Sequence, residues 1–161
     1  MSEPRTFAQE RLDRVAERCY RERATQLYGY GRRLGLDPAA AEEAVQEAFV
    51  RLLRERVVPP EPEAWLFRVV HNLAMDRHRQ AARQLRAVPI ETAIAEADIE
   101  AAAVWEEVDR LPERQRASVY LRYRADLDFA TIARVLDISE SGARANVFRA
   151  LERLRERMVE R

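Results

Sequence analysis

The chain has no lysine. All 28 of its basic residues are arginine, and 28 acids bring the formal net charge to zero. One cysteine, Cys19, excludes an intramolecular disulfide and suits a reducing cytoplasm, where the protein is expected to reside. With only 4 glycines there is no glycine-rich loop to cradle a phosphate. No apolar run approaches membrane-spanning length, and the first ten residues lack an apolar signal-peptide core, so no membrane insertion is expected. No segment alternates convincingly with a period of two, which argues against a sheet. The two histidines, His71 and His78, stand seven apart without a cysteine or carboxylate array around them. No metal site, no cofactor and no catalytic residues are expected, and an enzyme has no positive feature behind it.

What the chain does have is charge on amphipathic helices: 35% of residues are charged and 47% hydrophobic. The expected fold is all-α. A first helix or pair covers about 7–34, with Leu12, Val15, Cys19, Leu27 and Leu34 as core, and a second runs from about Ala39 to Glu55. Val57-Val-Pro-Pro-Glu-Pro-Glu63 then breaks the pattern, since proline lacks the donor a helix interior needs. A third helix, about 63–85, opens with acids and closes with arginines, an order that suits the helix dipole.

The zero net charge hides a strong division. Residues 1–86 hold 16 Arg and 13 acids, residues 87–109 no Arg and 7 acids, and residues 110–161 12 Arg and 8 acids. Two modestly basic blocks flank an acidic connector, which is read as partly helical from about Thr92 to Leu111. The expected organisation is two small helical domains, 7–86 and 110–161, joined by an acidic linker over 87–109.

The most informative stretch lies near the C-terminus. Asp128 is a good N-cap for a helix whose Phe129, Ile132, Ala133 and Leu136 recur at helical spacing. Asp137-Ile138 makes a tight turn, since Asp tolerates a left-handed backbone, and Ser139 caps a second helix. Such a pair is a helix-turn-helix, whose second helix enters the DNA major groove. At 100° per residue, Ala143, Val147, Ala150, Leu151 and Leu154 fall on the inward side. Ser141, Ala145, Phe148, Arg149 and Glu152 face outward, with Arg144 and Asn146 flanking them. A solvated face on an ordinary bundle helix is the competing reading.

Upstream, Ala41-Glu-Glu-Ala-Val-Gln-Glu-Ala-Phe-Val-Arg-Leu52 and Trp65-Leu-Phe-Arg-Val-Val-His-Asn-Leu-Ala-Met-Asp-Arg77 resemble region 2 of bacterial RNA polymerase sigma factors, nearest the extracytoplasmic-function (ECF) type. Leu111-Pro-Glu-Arg-Gln-Arg-Ala-Ser-Val-Tyr-Leu-Arg-Tyr123 with the helix-turn-helix resembles region 4 of the same family. The resemblance implies a sigma factor that binds core RNA polymerase, through the β′ coiled coil and the β flap, and directs it to promoter DNA. An anti-sigma factor is a further partner that the family allows.

Carried onto this chain, the likeness implies polymerase contacts at Glu43, Gln46, Glu47 and Phe49. Ala44 and Ala48 stand where the family usually has Leu and often Thr. It implies minus-ten contacts at Asn72, Asp76, Arg77 and Arg79, with part of the base selection made by the loop between Phe49 and Trp65. Trp65 itself reads as core rather than as a base-stacking platform. It implies minus-thirty-five contacts at Ser141, Arg144, Ala145, Asn146, Phe148 and Arg149, although Gly142, Ala145 and Asn146 depart from the commoner Thr, Ser and Arg. The family's linker threads into the polymerase cleft, where seven carboxylates would mimic nucleic acid; alternatively they only keep an exposed tether soluble.

Two other functions compete. A stand-alone helix-turn-helix regulator would dimerise to read two half-sites, but no dimer seam is evident and region 2 would be unexplained. A sigma-like decoy for an anti-sigma factor need not keep Asn72, Arg144 and Arg149, and this chain has all three.

Overall fold

The computed structural model describes residues 6–83 and 99–160. Seven helices are formed among them: α1 Phe7–Arg33, α2 Pro38–Arg54, α3 Pro62–Arg83, α4 Ile99–Asp109, α5 Glu113–Tyr123, α6 Phe129–Leu136 and α7 Glu140–Val159. There is no strand among the described residues. The first expected segment is one continuous helix rather than a pair. The expected end of the third helix at Leu85 and the start of the connector helix at Thr92 lie outside the described residues.

Local chemistry accounts for the boundaries. Thr6, Asp37, Asp128 and Ser139 each have an extended backbone and accept, through the side chain, from the N–H three residues on. This satisfies donors that have no partner in the first turn of a helix. Pro38 occupies the start of α2, where a missing N–H costs nothing. The α1–α2 turn runs through Gly35 at φ +90°, a conformation that suits a residue without Cβ.

The helices bury one continuous core. Leu12, Leu27, Leu34, Leu52, Leu66, Phe67 and Val70 from α1–α3 and the turn after α1 belong to the same buried cluster as Ala117, Leu121, Ile132, Val135 and Ala143 from α5–α7. A smaller cluster of Val108, Leu111, Val119, Ala150 and Leu154 joins α4 and α5 to α7. Val15, expected in the core, is only partly buried against it, as is Trp65.

Residues 99–109, read as part of a connector, thus pack as a helix on the C-terminal half. The acids there are not uncompensated. Asp109 pairs with Arg33 of α1, and the buried Glu107 pairs with Arg110 and Arg157. Linear charge counting could not see these partners, because they come from other segments. Glu91, Glu96 and Asp98 lie outside the described residues.

The two halves meet along a polar-aromatic seam. Tyr30 is fully buried, stacked on Tyr120 at 5.7 Å between ring centroids and edge-on to Phe67 at 5.7 Å. The Tyr120 hydroxyl donates to the Gln26 carbonyl at 2.9 Å. Trp105 of α4 sets its edge against Tyr120, with the guanidiniums of Arg33 and Arg124 at 5.2 and 4.8 Å from its ring centroid. The helix-turn-helix is therefore docked on α1 and α3 rather than held at a distance.

Candidate nucleic-acid interface

The C-terminal candidate surface is built by α6, the turn and α7. Asp137 adopts φ 53°, ψ 52°, the left-handed conformation expected of it, and the Ile138 N–H closes the turn on the Ala133 carbonyl at 3.0 Å. The Asp128 carboxylate accepts from the Thr131 side chain and N–H, which holds its pKa below the ordinary value. This fixed turn turns α7 so that Ala143, Val147, Ala150 and Leu154 are buried. Ser141, Arg144, Phe148 and Arg149 are exposed, and Ala145 and Asn146 are half-buried.

Phe148 is 63% exposed, an arrangement that leaves an aromatic face open beside two guanidiniums. Arg144 pairs with Glu140 at 2.7 Å and lies 4.7 Å over the Phe129 ring. Arg122 approaches the same ring at 5.0 Å. Leu151, expected on the inward side, is instead exposed. It sits at the margin of an inward stripe that proves narrower than the helical wheel suggests.

A second candidate surface lies between α2 and α3. Glu43, Gln46 and Glu47 from α2 and Asp76, Arg77 and Gln80 from α3 line one open groove of about 580 Å³. Arg77 reaches Glu43 at 3.4 Å across it, and Glu47 pairs with Arg51 on its own helix at 2.8 Å. Residues assigned separately to polymerase and to minus-ten DNA therefore share a groove. Asn72 and Arg79 are exposed on α3, with Arg79 paired to Asp76.

Phe49 is a correction. It is only 8% exposed and packs edge-on to Tyr20 at 5.2 Å, so it supports α2 from beneath and offers little surface to a partner. A large apolar ring on the inward side of an amphipathic helix is drawn to the core. Ala44 and Ala48 are likewise buried.

The sequence reading missed a third feature. The α2–α3 loop and the start of α1 enclose a groove of about 610 Å³, lined by Arg11, Arg18 and Arg56 with Phe7, Val57 and Pro59. Arg11 and Arg18 are seven residues apart, hence on one face of α1, and that spacing was the available signal.

The histidines are structural. His71 Nδ1 accepts from the buried Tyr30 hydroxyl at 2.8 Å, and His78 Nε2 donates to the Leu34 carbonyl. Burial lowers the His71 pKa and raises that of Tyr30, so the hydroxyl keeps the proton it donates.

Comparison with known proteins agrees with this geometry. Residues 19–84 match Sigma-70 region 2, and residues 101–154 match Sigma-70, region 4. The chain is 34% identical over 128 residues to the ECF RNA polymerase sigma factor SigJ of Mycobacterium tuberculosis, covering 70% of this chain and 41% of that protein. It is 29% identical over 155 residues to the ECF RNA polymerase sigma factor SigE of Mycolicibacterium smegmatis, covering 84% of this chain and 58% of that one. The chain thus spans well under two thirds of the length of these relatives. Its fold is shared with CnrH in complex with the cytosolic domain of CnrY, at TM-score 0.67 and 22% identity over 95% of this chain and 93% of that one. It is also shared with the sigma factor RpoE in complex with the anti-sigma factor NepR from Bartonella quintana, at TM-score 0.68 and 20% identity over 81% and 88%. The chain belongs to the sigma-70 family of RNA polymerase sigma factors, in its ECF branch, and carries both region 2 and region 4.

Proposed function

We propose that this chain binds core RNA polymerase and directs it to a restricted set of promoters. Residues 7–86 act as the polymerase-binding and minus-ten unit, and residues 110–161 as the minus-thirty-five unit, with 87–109 between them. On α2, Glu43, Gln46 and Glu47 meet the β′ coiled coil, while the C-terminal unit meets the β flap. Asn72, Asp76, Arg77 and Arg79 meet the unstacked minus-ten strand. Unpaired base edges suit exposed amide and guanidinium groups, and the nearby arginine-rimmed apolar groove has the composition to hold a base beside its phosphate. On α7, Ser141, Arg144, Ala145, Asn146, Phe148 and Arg149 meet the minus-thirty-five duplex in its major groove. A cytoplasmic anti-sigma factor is a proposed further partner.

The observation that carries this reading is the left-handed turn at Asp137 between two capped helices, which leaves Arg144, Phe148 and Arg149 outward. It stands on the same chain as the α2–α3 groove. Each DNA surface alone is small, so the free chain should hold promoter duplex weakly. Binding of labelled promoter DNA to the chain, to core polymerase and to both together tests this. Tight promoter-specific binding is expected only for the mixture. Tight sequence-specific binding by the chain alone, as a dimer, would point to the stand-alone regulator.

A further inference from the structure

We infer that the seam between the two halves is an intramolecular latch, which keeps the free chain in a closed form that cannot engage both promoter elements at once. The inference rests on the proposed promoter role for its consequence, though not for its geometry.

The seam is built of specific contacts that join α1 and α3 to α5 and α6. Arg23 of α1 pairs with Glu63 of α3 at 2.7 Å and donates to the Ala125 carbonyl, between α5 and α6, at 2.9 Å. Arg134 of α6 pairs with Glu61, just before α3, at 2.6 Å. Tyr120 of α5 reaches over α1 to the Gln26 carbonyl. Gly29, one turn along, makes room for it: a Cβ there would meet the Tyr120 hydroxyl at 2.3 Å and its Cζ at 3.2 Å. Nothing in the needs of α1 itself calls for a glycine mid-helix, where alanine is the better helix former. The residue is explained by the approach of Tyr120.

Geometry gives the latch its consequence. A folded globule of this length has a radius of gyration of about 15 Å and is roughly 40 Å across. Two promoter elements whose centres lie about 25 base pairs apart are separated by roughly 80 Å along B-form DNA at ~3.4 Å per pair. The outward faces of α3 and α7 are each exposed in the closed form, but they cannot span that distance while α6 stays docked on α3. Core polymerase would therefore bind the open form, and its apparent affinity would be reduced by the fraction of chain that is open.

The seam also shows the mark of an interface meant to part. The buried Gln26 Oε1 and Asp109 Oδ1, both on residues that bridge the two halves, have no hydrogen-bond partner among the described residues. Groups left so gain by meeting water when the halves separate.

Distances between labels at Glu17→Cys and Glu156→Cys, in a Cys19→Ala background, test the latch on the full chain. The free protein should give one short distance. Gly29→Ala and Arg23→Gln should each add a longer, broader component without changing the helical circular dichroism signal, and should tighten core-polymerase binding by about threefold or more. Binding of core polymerase to the otherwise unmodified labelled chain should lengthen the distance with no latch substitution present. A free chain that is already long and broad, or substitutions that leave the short distance intact, would overturn the latch. So would a polymerase-bound chain that stays short while transcribing. The distances read the latch alone. A chain that opens as expected yet directs no promoter-specific transcription would leave the latch standing and remove the promoter role.

Discussion

Arg144 stands 4.7 Å above the ring of Phe129, so the first helix of the helix-turn-helix holds a guanidinium of the second in place. The Glu140 carboxylate, one turn earlier on α7, fixes it from the other direction. A guanidinium held on an aromatic face loses less freedom when it meets a base edge. Arg144→Ala and Arg149→Ala should each cost ~1–3 kcal/mol of discrimination at the upstream promoter element. Phe129→Leu should weaken discrimination less than Arg144→Ala, because it removes the support and not the donor. Competition binding of the polymerase complex to matched and mismatched upstream elements measures all three.

The turn itself gives a stability prediction. Asp137 sits in the left-handed region, where a Cβ is costly and a branched one costlier. Asp137→Gly should be neutral or slightly stabilising, whereas Asp137→Val should cost ~1–2 kcal/mol. Urea denaturation of the three proteins checks this, with an unchanged slope required for a clean comparison.

Stability should also depend on pH through His71. Burial lowers the pKa of its imidazole from the ordinary 6.5, with Glu113 opposing that shift and Arg114 adding to it. The unfolded chain therefore takes up a proton at a pH where the folded chain does not. Stability is full above the unfolded value, falls as the pH drops through it, and stops falling once the folded imidazole is protonated. His71→Asn, which keeps an acceptor near the Tyr30 hydroxyl, should flatten that part of the profile. Thermal melts between pH 7.5 and 5 would show it, on the order of the usual histidine range.

The α2 face separates binding from folding. Glu43 and Gln46 are exposed, and Glu47 is partly so, with only Arg51 as its salt-bridge partner. Glu43→Arg and Gln46→Ala should change stability by less than about 0.5 kcal/mol, as surface substitutions do. Both should weaken core-polymerase binding, Glu43→Arg chiefly through a slower on-rate with altered salt dependence. Phe49→Ala should behave in the opposite way, costing ~3–5 kcal/mol of stability because its ring is in the core. Surface plasmon resonance on core polymerase, set beside thermal melts, distinguishes the two classes.

Much of this was legible along the chain. The caps at Asp37, Asp128 and Ser139, the left-handed Asp137 and the inward set Ala143, Val147, Ala150 and Leu154 are dictated by neighbours within one or two turns. Leu151 was misjudged because periodicity gives the direction of a buried stripe but not its width. Phe49 fell into a surface motif although its own hydrophobicity marks it for the interior. The seam was not legible at all. Tyr120 with Gly29, Arg33 with Asp109 and Arg23 with Ala125 join residues far apart in the chain, and no local pattern announces such pairs. For the same reason Glu107 and Asp109 read as bare linker charge until their arginine partners were seen in space.

Run-off transcription from a randomised promoter library, using core polymerase with and without this chain, tests the central claim most directly. With the chain present, transcripts should come from templates that share two short sequence blocks at a fixed spacing. Arg149→Ala should relax the upstream block, and Asn72→Ala should relax the downstream one. No transcription above that of core polymerase alone, or selection of a single palindromic block, would contradict the account.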